Sequence, residues 1–68
     1  MDKELTLHNN LKDIRRAKNI SQEQLAVLVG TTRQTIIAIE KGVFNPSAKL
    51  ALLICVALDS KFEDLFYF

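Results

Sequence analysis

Hydrophobic residues return along this chain three and four positions apart in short runs, and serine, threonine, asparagine or glycine stands at the joins. That period belongs to amphipathic helices, and the joining residues to their caps. Leu11 and Ile14 predict a first helix, capped by Asn9 or Asn10 and ending near Lys18 and Asn19. Ser21 with Gln24 three residues later forms a capping box, in which each side chain satisfies a backbone N–H of the other residue. A second helix therefore starts at Gln22 and is expected to bury Leu25, Leu28 and Val29. Gly30 ends it, because glycine takes the left-handed backbone of a helix C-terminus without a side-chain clash. Thr32 caps a third helix over residues 33–41, with Ile36 and Ile39 inward, and Gly42 closes it in the same way. Beyond VFNP, Ser47 caps a fourth helix over 48–58, with Leu50, Leu53, Ile54, Ala57 and Leu58 at helical spacing. A short last helix over 62–66 has Glu63 and Asp64 in its first turn, where the helix dipole favours them. Leu5 and Leu7 alternate with Glu4, Thr6 and His8, a strand period. The terminal LFYF either belongs to the last helix or runs extended and pairs with residues 5–7.

Only Gly30, Thr31 and Thr32 join the second and third helices, too short a connection for them to lie side by side, so they cross steeply as a helix-turn-helix. At about 100° per residue, Gln34, Ala38 and Lys41 point away from Ile36 and Ile39. Thr31, Thr32 and Arg33 crowd the N-terminal end. This outer surface carries amide, hydroxyl, guanidinium and methyl groups and no carboxylate. Such a surface suits the reading of base edges: glutamine bonds adenine bidentately, arginine bonds guanine, and threonine or an apolar group touches the thymine methyl. Capping and solvation of a first turn would account for the same polar residues, and the stretch alone does not separate the two. Glu40 leans inward, next to Ile39 and one turn after Ile36, and Arg15 has the same relation to Ile14 and Leu11. Either the two form a partly buried ion pair joining the first and third helices, or both reach water along their apolar stems.

At 68 residues, 49% hydrophobic and 25% charged, the chain has room for one core, so a single domain over 1–68 is expected, with the helix-turn-helix at about 21–42. A domain this small buries only about 60% of the surface its unfolded chain exposes. A single cysteine gives it no disulfide. Cys55 and His8 are too few ligands for a structural zinc, so no metal or other cofactor is expected and extra burial should come from self-association. MDKELTLHNN lacks the apolar centre of a signal peptide, and ALLICVAL is far shorter than the roughly 20 residues that span a bilayer. A cytoplasmic protein without a membrane partner is the expectation. The net charge of +1 conceals an uneven distribution. Residues 10–41 hold Lys12, Arg15, Arg16, Lys18, Arg33 and Lys41 against Asp13, Glu23 and Glu40, leaving +3, while each flanking stretch carries −1. Basic charge thus gathers on the segment that holds the polar helix end. An enzyme is not expected: His8 is the only histidine, Cys55 sits in an apolar run as a small hydrophobe, and nothing has room to close around a substrate.

SQEQLAVLVGTTRQTIIAIEKG resembles, almost throughout, the signature of the lambda-repressor-like, Cro/repressor-type helix-turn-helix regulators of bacteria and phages. Ser21 and Gln22 open the second helix, Ala26 lies at the tight helix crossing, Gly30 in the turn, Thr32 at the cap, Ile36 and Ile39 inward, then Glu40 and Gly42. LKDIRRAKNIS, NPSAKLALLICVALD and KFEDLF extend the likeness to the family's small stand-alone members, over about residues 10–66. The resemblance implies an all-α fold of five helices with a short two-stranded ribbon formed before the first helix and after the fifth. It also implies a homodimer on double-stranded DNA, with the two third helices about 34 Å apart on a pseudo-palindromic operator. By position, Thr31, Arg33, Gln34, Ile37 and Ala38 match the base-facing residues, and Arg15 with Glu40 matches the family's buried ion pair. Gln22 matches the phosphate-contacting residue at the start of the second helix, where free N–H groups also favour an anion. The chain departs from the pattern at five positions. Ile37 stands where a polar residue is usual, so it meets a thymine methyl or packs on the flank; Ala38 is short; Lys61 replaces the serine that usually caps the fifth helix; Leu53 and Val56 occupy positions usually charged. With Phe44 and the terminal aromatics Phe66 and Phe68, these two form either a subunit contact or part of a wider core.

Two functions follow. One is a sequence-specific transcriptional regulator, a repressor, with Gln22, Thr32, Lys12, Arg16 and Lys41 on phosphates and Arg33 and Gln34 discriminating bases. The other is an antitoxin-like or adaptor module on the same fold, binding a regulatory protein partner through the apolar surface of the fourth and fifth helices.

Overall fold

The computed structural model describes residues 5–68. Helices α1 (Leu11–Ala17), α2 (Gln22–Val29), α3 (Arg33–Glu40), α4 (Ala48–Ala57) and α5 (Phe62–Leu65) lie between two short strands, β1 (His8–Asn9) and β2 (Phe66–Tyr67). Local chemistry sets the boundaries. Ser21 Oγ accepts from the Gln24 N–H while Gln24 Oε1 accepts from the Ser21 N–H. Thr32 and Ser47 start α3 and α4 by accepting from the N–H groups of Thr35 and Leu50. Gly30 at φ 75° and Gly42 at φ 78° take the left-handed backbone behind α2 and α3. The start of α1 is less direct: Asn10 occupies the N-cap position without a side-chain bond to the helix, and Asn9 Oδ1 accepts from the Leu11 N–H instead. Lys61 gives α5 no side-chain cap, and that helix is a single turn. Spacing places the ends of α3 and α4 one residue too late, because Lys41 and Leu58 serve as C-caps.

Every helix contributes to one core. Leu11, Leu25, Ile36, Ile39, Ile54, Leu58 and Leu65 are fully enclosed, with Ala26, Val29, Ala51 and Phe66 around them. Leu28, expected inward, is 61% exposed. The buried arc of α2 runs from Leu25 and Val29 to Ala26, and Leu28 lies about a third of a turn from its centre. The ribbon also differs from expectation. Residues 5–7 form no strand; β1 instead pairs antiparallel with β2, His8 opposite Tyr67 and Asn9 opposite Phe66. Pairing starts where the chain enters α1, since the Asn10 N–H donates to Leu65 O, and it runs back from that junction. Leu7 packs against the core and Leu5 is exposed. The rings of His8 and Tyr67 meet across the ribbon with centroids 5.6 Å apart. Phe66, expected at a subunit contact, is only 4% exposed, because the first residue of β2 turns its ring into the core; it is withdrawn from that surface. No helix among the described residues is long and apolar enough to cross a membrane.

Candidate nucleic-acid interface

The backbone at the corner between α2 and α3 is satisfied internally. The Gly30 N–H donates to Val27 O and the Thr31 N–H to Ala26 O, closing the C-terminus of α2. Thr32 Oγ1 caps α3 and shares a 3.1 Å hydrogen bond with Thr35 Oγ1. The next two side chains are directed outward. Arg33 and Gln34 are exposed, and neither makes a side-chain hydrogen bond or ion pair to the described residues. Thr31, Ile37 and Ala38 are half-buried. The exposed polar surface of α3 is therefore concentrated in its first turn, with Ile37 and Ala38 as flanks.

Behind that surface α3 is fastened by charge. Arg15 reaches from α1 with 7% of its surface exposed; its Nε donates to Glu40 Oε2 at 2.7 Å and its Nη2 to Glu40 Oε1 at 3.3 Å. Its Nη1 donates to Ile20 O at 2.8 Å, so the planar fork is used on both sides. Gln22 joins the same carboxylate, its Nε2 donating to Glu40 Oε1 at 3.0 Å. One amide hydrogen of Gln22 is thus committed inward, and the second hydrogen and the carbonyl are left for other partners. Among the described residues no buried side-chain nitrogen or oxygen lacks a partner. The same end of α3 is tethered a second time, by a 2.9 Å hydrogen bond from Asn9 Nδ2 to Ile39 O.

The surroundings are basic. Arg15, Ser21, Gln22, Glu23 and Arg33 line one open recess, so the first turns of α2 and α3 share a surface. Lys12, Arg16 and Lys41 are exposed and form no ion pair with the described residues. A second groove passes from Thr31 to Ser47, Lys49 and Leu53, bringing the start of α4 beside the turn. Lys49 is an exposed cation there that the charge distribution passes over, because it lies in a flanking stretch of net −1. Cys55 is half-buried; burial pushes its thiol up, and the charge of Glu63 adds to the effect, so it is held as a thiol. The described residues contain no group of three His, Cys, Asp or Glu placed to hold a metal.

Phe44, Leu53, Val56 and Phe68 are exposed, Leu53 at the edge of that second groove, and the structure adds Leu52 to them. Leu52, Leu53 and Val56 give α4 an apolar outer stripe opposite the buried Ala51 and Ile54. A helix that is hydrophobic all round is one whose outer side is normally covered.

A bundle cornered at a glycine, with a guanidinium and an amide unheld on the first turn of its third helix and cations around them, is a helix-turn-helix of the DNA-binding kind. The chain belongs to the helix-turn-helix family, whose model matches residues 11–65, from the first residue of α1 to the last of α5. It is 49% identical over 61 residues to the uncharacterized HTH-type transcriptional regulator YgzD of Bacillus subtilis, covering 90% of this chain and 92% of that protein. An uncharacterized HTH-type transcriptional regulator of Methanocaldococcus jannaschii is 48% identical over 62 residues, covering 91% of this chain and 94% of its own. Among solved structures, the restriction-modification controller protein C.AhdI from Aeromonas hydrophila superposes with a TM-score of 0.75 at 37% identity, over 79% of this chain and 78% of that one. The protein is a small lambda-repressor-like regulator, DNA-binding and acting in transcription regulation.

Proposed function

We propose that the protein is a repressor that binds a pseudo-palindromic operator as a homodimer, with α3 of each subunit in the major groove. The observation that carries this reading is the state of Arg33 and Gln34, exposed and unheld on a helix fixed from behind by Arg15 and Glu40. Base reading asks for a rigid support and free hydrogen-bonding groups in front of it. Arg33 suits the acceptor pair of guanine, Gln34 the mixed edge of adenine, and Thr31, Ile37 and Ala38 offer methyl contact to thymine. Gln22, Thr32, Lys12, Arg16 and Lys41 take phosphates, which orient the protein without carrying sequence. The outer stripe of α4, with Phe44 and Phe68, supplies the subunit contact. Where the operator overlaps a promoter, a compact dimer occupying it excludes other proteins from the site, which is repression.

Selection of bound sequences from random duplexes, followed by titration, tests this. Affinity for the selected duplex should fall with salt at a slope of roughly −0.9 per neutralised phosphate. Gln34→Ala should relax the preference at one base pair, costing about 1–3 kcal/mol there. Absence of any enriched sequence, or a Gln34→Ala variant with an unchanged preference at every position, counts against the reading. The exposed Val27 and Leu28, which line a groove with Ile20 on the outer side of α2, favour a second reading as an antitoxin-like or adaptor module for a regulatory protein. A stoichiometric protein complex together with DNA affinity no better than nonspecific would put that reading first.

A further inference from the structure

We infer that Asn9 is a positioning residue for DNA reading: its carboxamide sets where α3 sits against α1, and through α3 the placement of Arg33 and Gln34 on the base edges. The inference rests on the proposed DNA-reading role of those two residues. Asn9 Nδ2 donates to Ile39 O at 2.9 Å, across 30 residues of sequence, while Asn9 Oδ1 accepts from the Leu11 N–H at 3.1 Å. One short side chain thus holds the first turn of α1 and the last turn of α3 together. Its own backbone is fixed in turn. Asn9 stands opposite Phe66 in the ribbon, and the next residue, Asn10, donates its N–H to Leu65 O at 2.8 Å and its Nδ2 to Asp64 O at 3.1 Å. Ile39 O also accepts from the Gly42 N–H at 2.9 Å, so the carbonyl keeps a partner without Asn9, and the tether acts on placement more than on stability. Glu40, the next residue of α3, is gripped by Arg15. Two tethers at successive residues oppose rotation of α3 about its own axis, which one contact leaves free. Base reading tolerates displacements of only about 0.5 Å in its supporting shell, so a small rotation is felt at Gln34.

Asn9→Asp and Asn9→Ser test this. Aspartate keeps an oxygen for the Leu11 N–H but turns a second acceptor, without a hydrogen, toward the Ile39 carbonyl. Serine keeps an acceptor near the Leu11 N–H and is too short to reach Ile39. The measurements are affinities for the selected duplex and for a scrambled duplex at one salt concentration, the salt slope, and the urea midpoint. Affinity for the selected duplex should fall roughly tenfold, the order of one lost base contact, with the scrambled-duplex affinity and salt slope unchanged. An unchanged ratio of the two affinities overturns the inference. So does a parallel fall of both affinities, or unfolding of both variants, since either makes Asn9 merely structural. A natural-sequence protein that itself fails to prefer the selected duplex removes the DNA reading, and this inference with it.

Discussion

Glu40→Ala should destabilise the protein by about 3–5 kcal/mol, against a total of about 5–15 kcal/mol for folded proteins of ordinary stability. The Glu40 side chain is 5% exposed and that of Arg15 9%. Removing the carboxylate leaves a guanidinium enclosed with Ile20 O as its remaining partner, and takes the acceptor from Gln22. The loss comes mainly from stranding a buried charge, and it exceeds what the pair itself contributes, because desolvation offsets most of the attraction when both charges are present. Two consequences separate this account from a simple count of lost hydrogen bonds. Arg15→Met alone should cost a comparable amount, since it strands the carboxylate. Arg15→Met combined with Glu40→Leu should recover most of the loss, since apolar side chains of similar volume fill the site and no charge remains. Urea unfolding of the natural-sequence protein, Arg15→Met, Glu40→Leu and the double variant, with midpoint and slope for each, gives the coupling energy directly. Strictly additive single effects would mean that each charge finds another partner, and the account would fail.

The parts of this fold that can be read from sequence are those whose causes lie within one helical turn. Ser21 with Gln24, Thr32, Ser47, Gly30 and Gly42 act on N–H and carbonyl groups a few residues away, so they mark the helix ends before any packing is known. The outward direction of Gln34 is legible for the same reason, since helical angle alone sets it, whereas Arg33 reads only as one of the residues crowding the start of the helix. Packing decisions are not local. Leu25, Ala26, Val27, Leu28 and Val29 clothe much of α2 in apolar groups, and only the positions of α3 and α4 determine that Ala26 turns inward and Leu28 outward. Spacing puts Arg15 and Glu40 on the inner flanks of their helices but does not say that the two flanks oppose each other. The ribbon depends on the Asn10 N–H reaching Leu65 O across most of the chain, which no short pattern encodes; this moves the strand from residues 5–7 to His8–Asn9 and draws Phe66 inward. Asn9 reads as a helix cap, and it is one in part, but its bond to Ile39 O joins elements 30 residues apart.

Val56→Lys should leave the subunit folded and weaken binding to a full, two-half-site operator by two to four orders of magnitude, the range over which linked binding events exceed single ones. Val56 is 79% exposed, so the exchange removes little buried surface. Lysine is also a better helix former than valine, and near the C-terminus of α4 its charge is favoured by the dipole. In the proposed dimer the same position lies in the apolar stripe with Leu52 and Leu53, and a two-fold interface would bring two ammonium groups into a surface that offers them no partner. The added charge is positive, so its direct effect on a phosphate backbone is attractive. A fall in operator affinity would therefore arise against the electrostatic trend, and only loss of the second subunit accounts for it. Sedimentation should show a monomer, and affinity for a single half-site should stay level or rise slightly. A Val56→Lys protein that sediments as a dimer and binds the full operator as before would move the subunit contact off α4, leaving Phe44 and Phe68 to be tested in the same way.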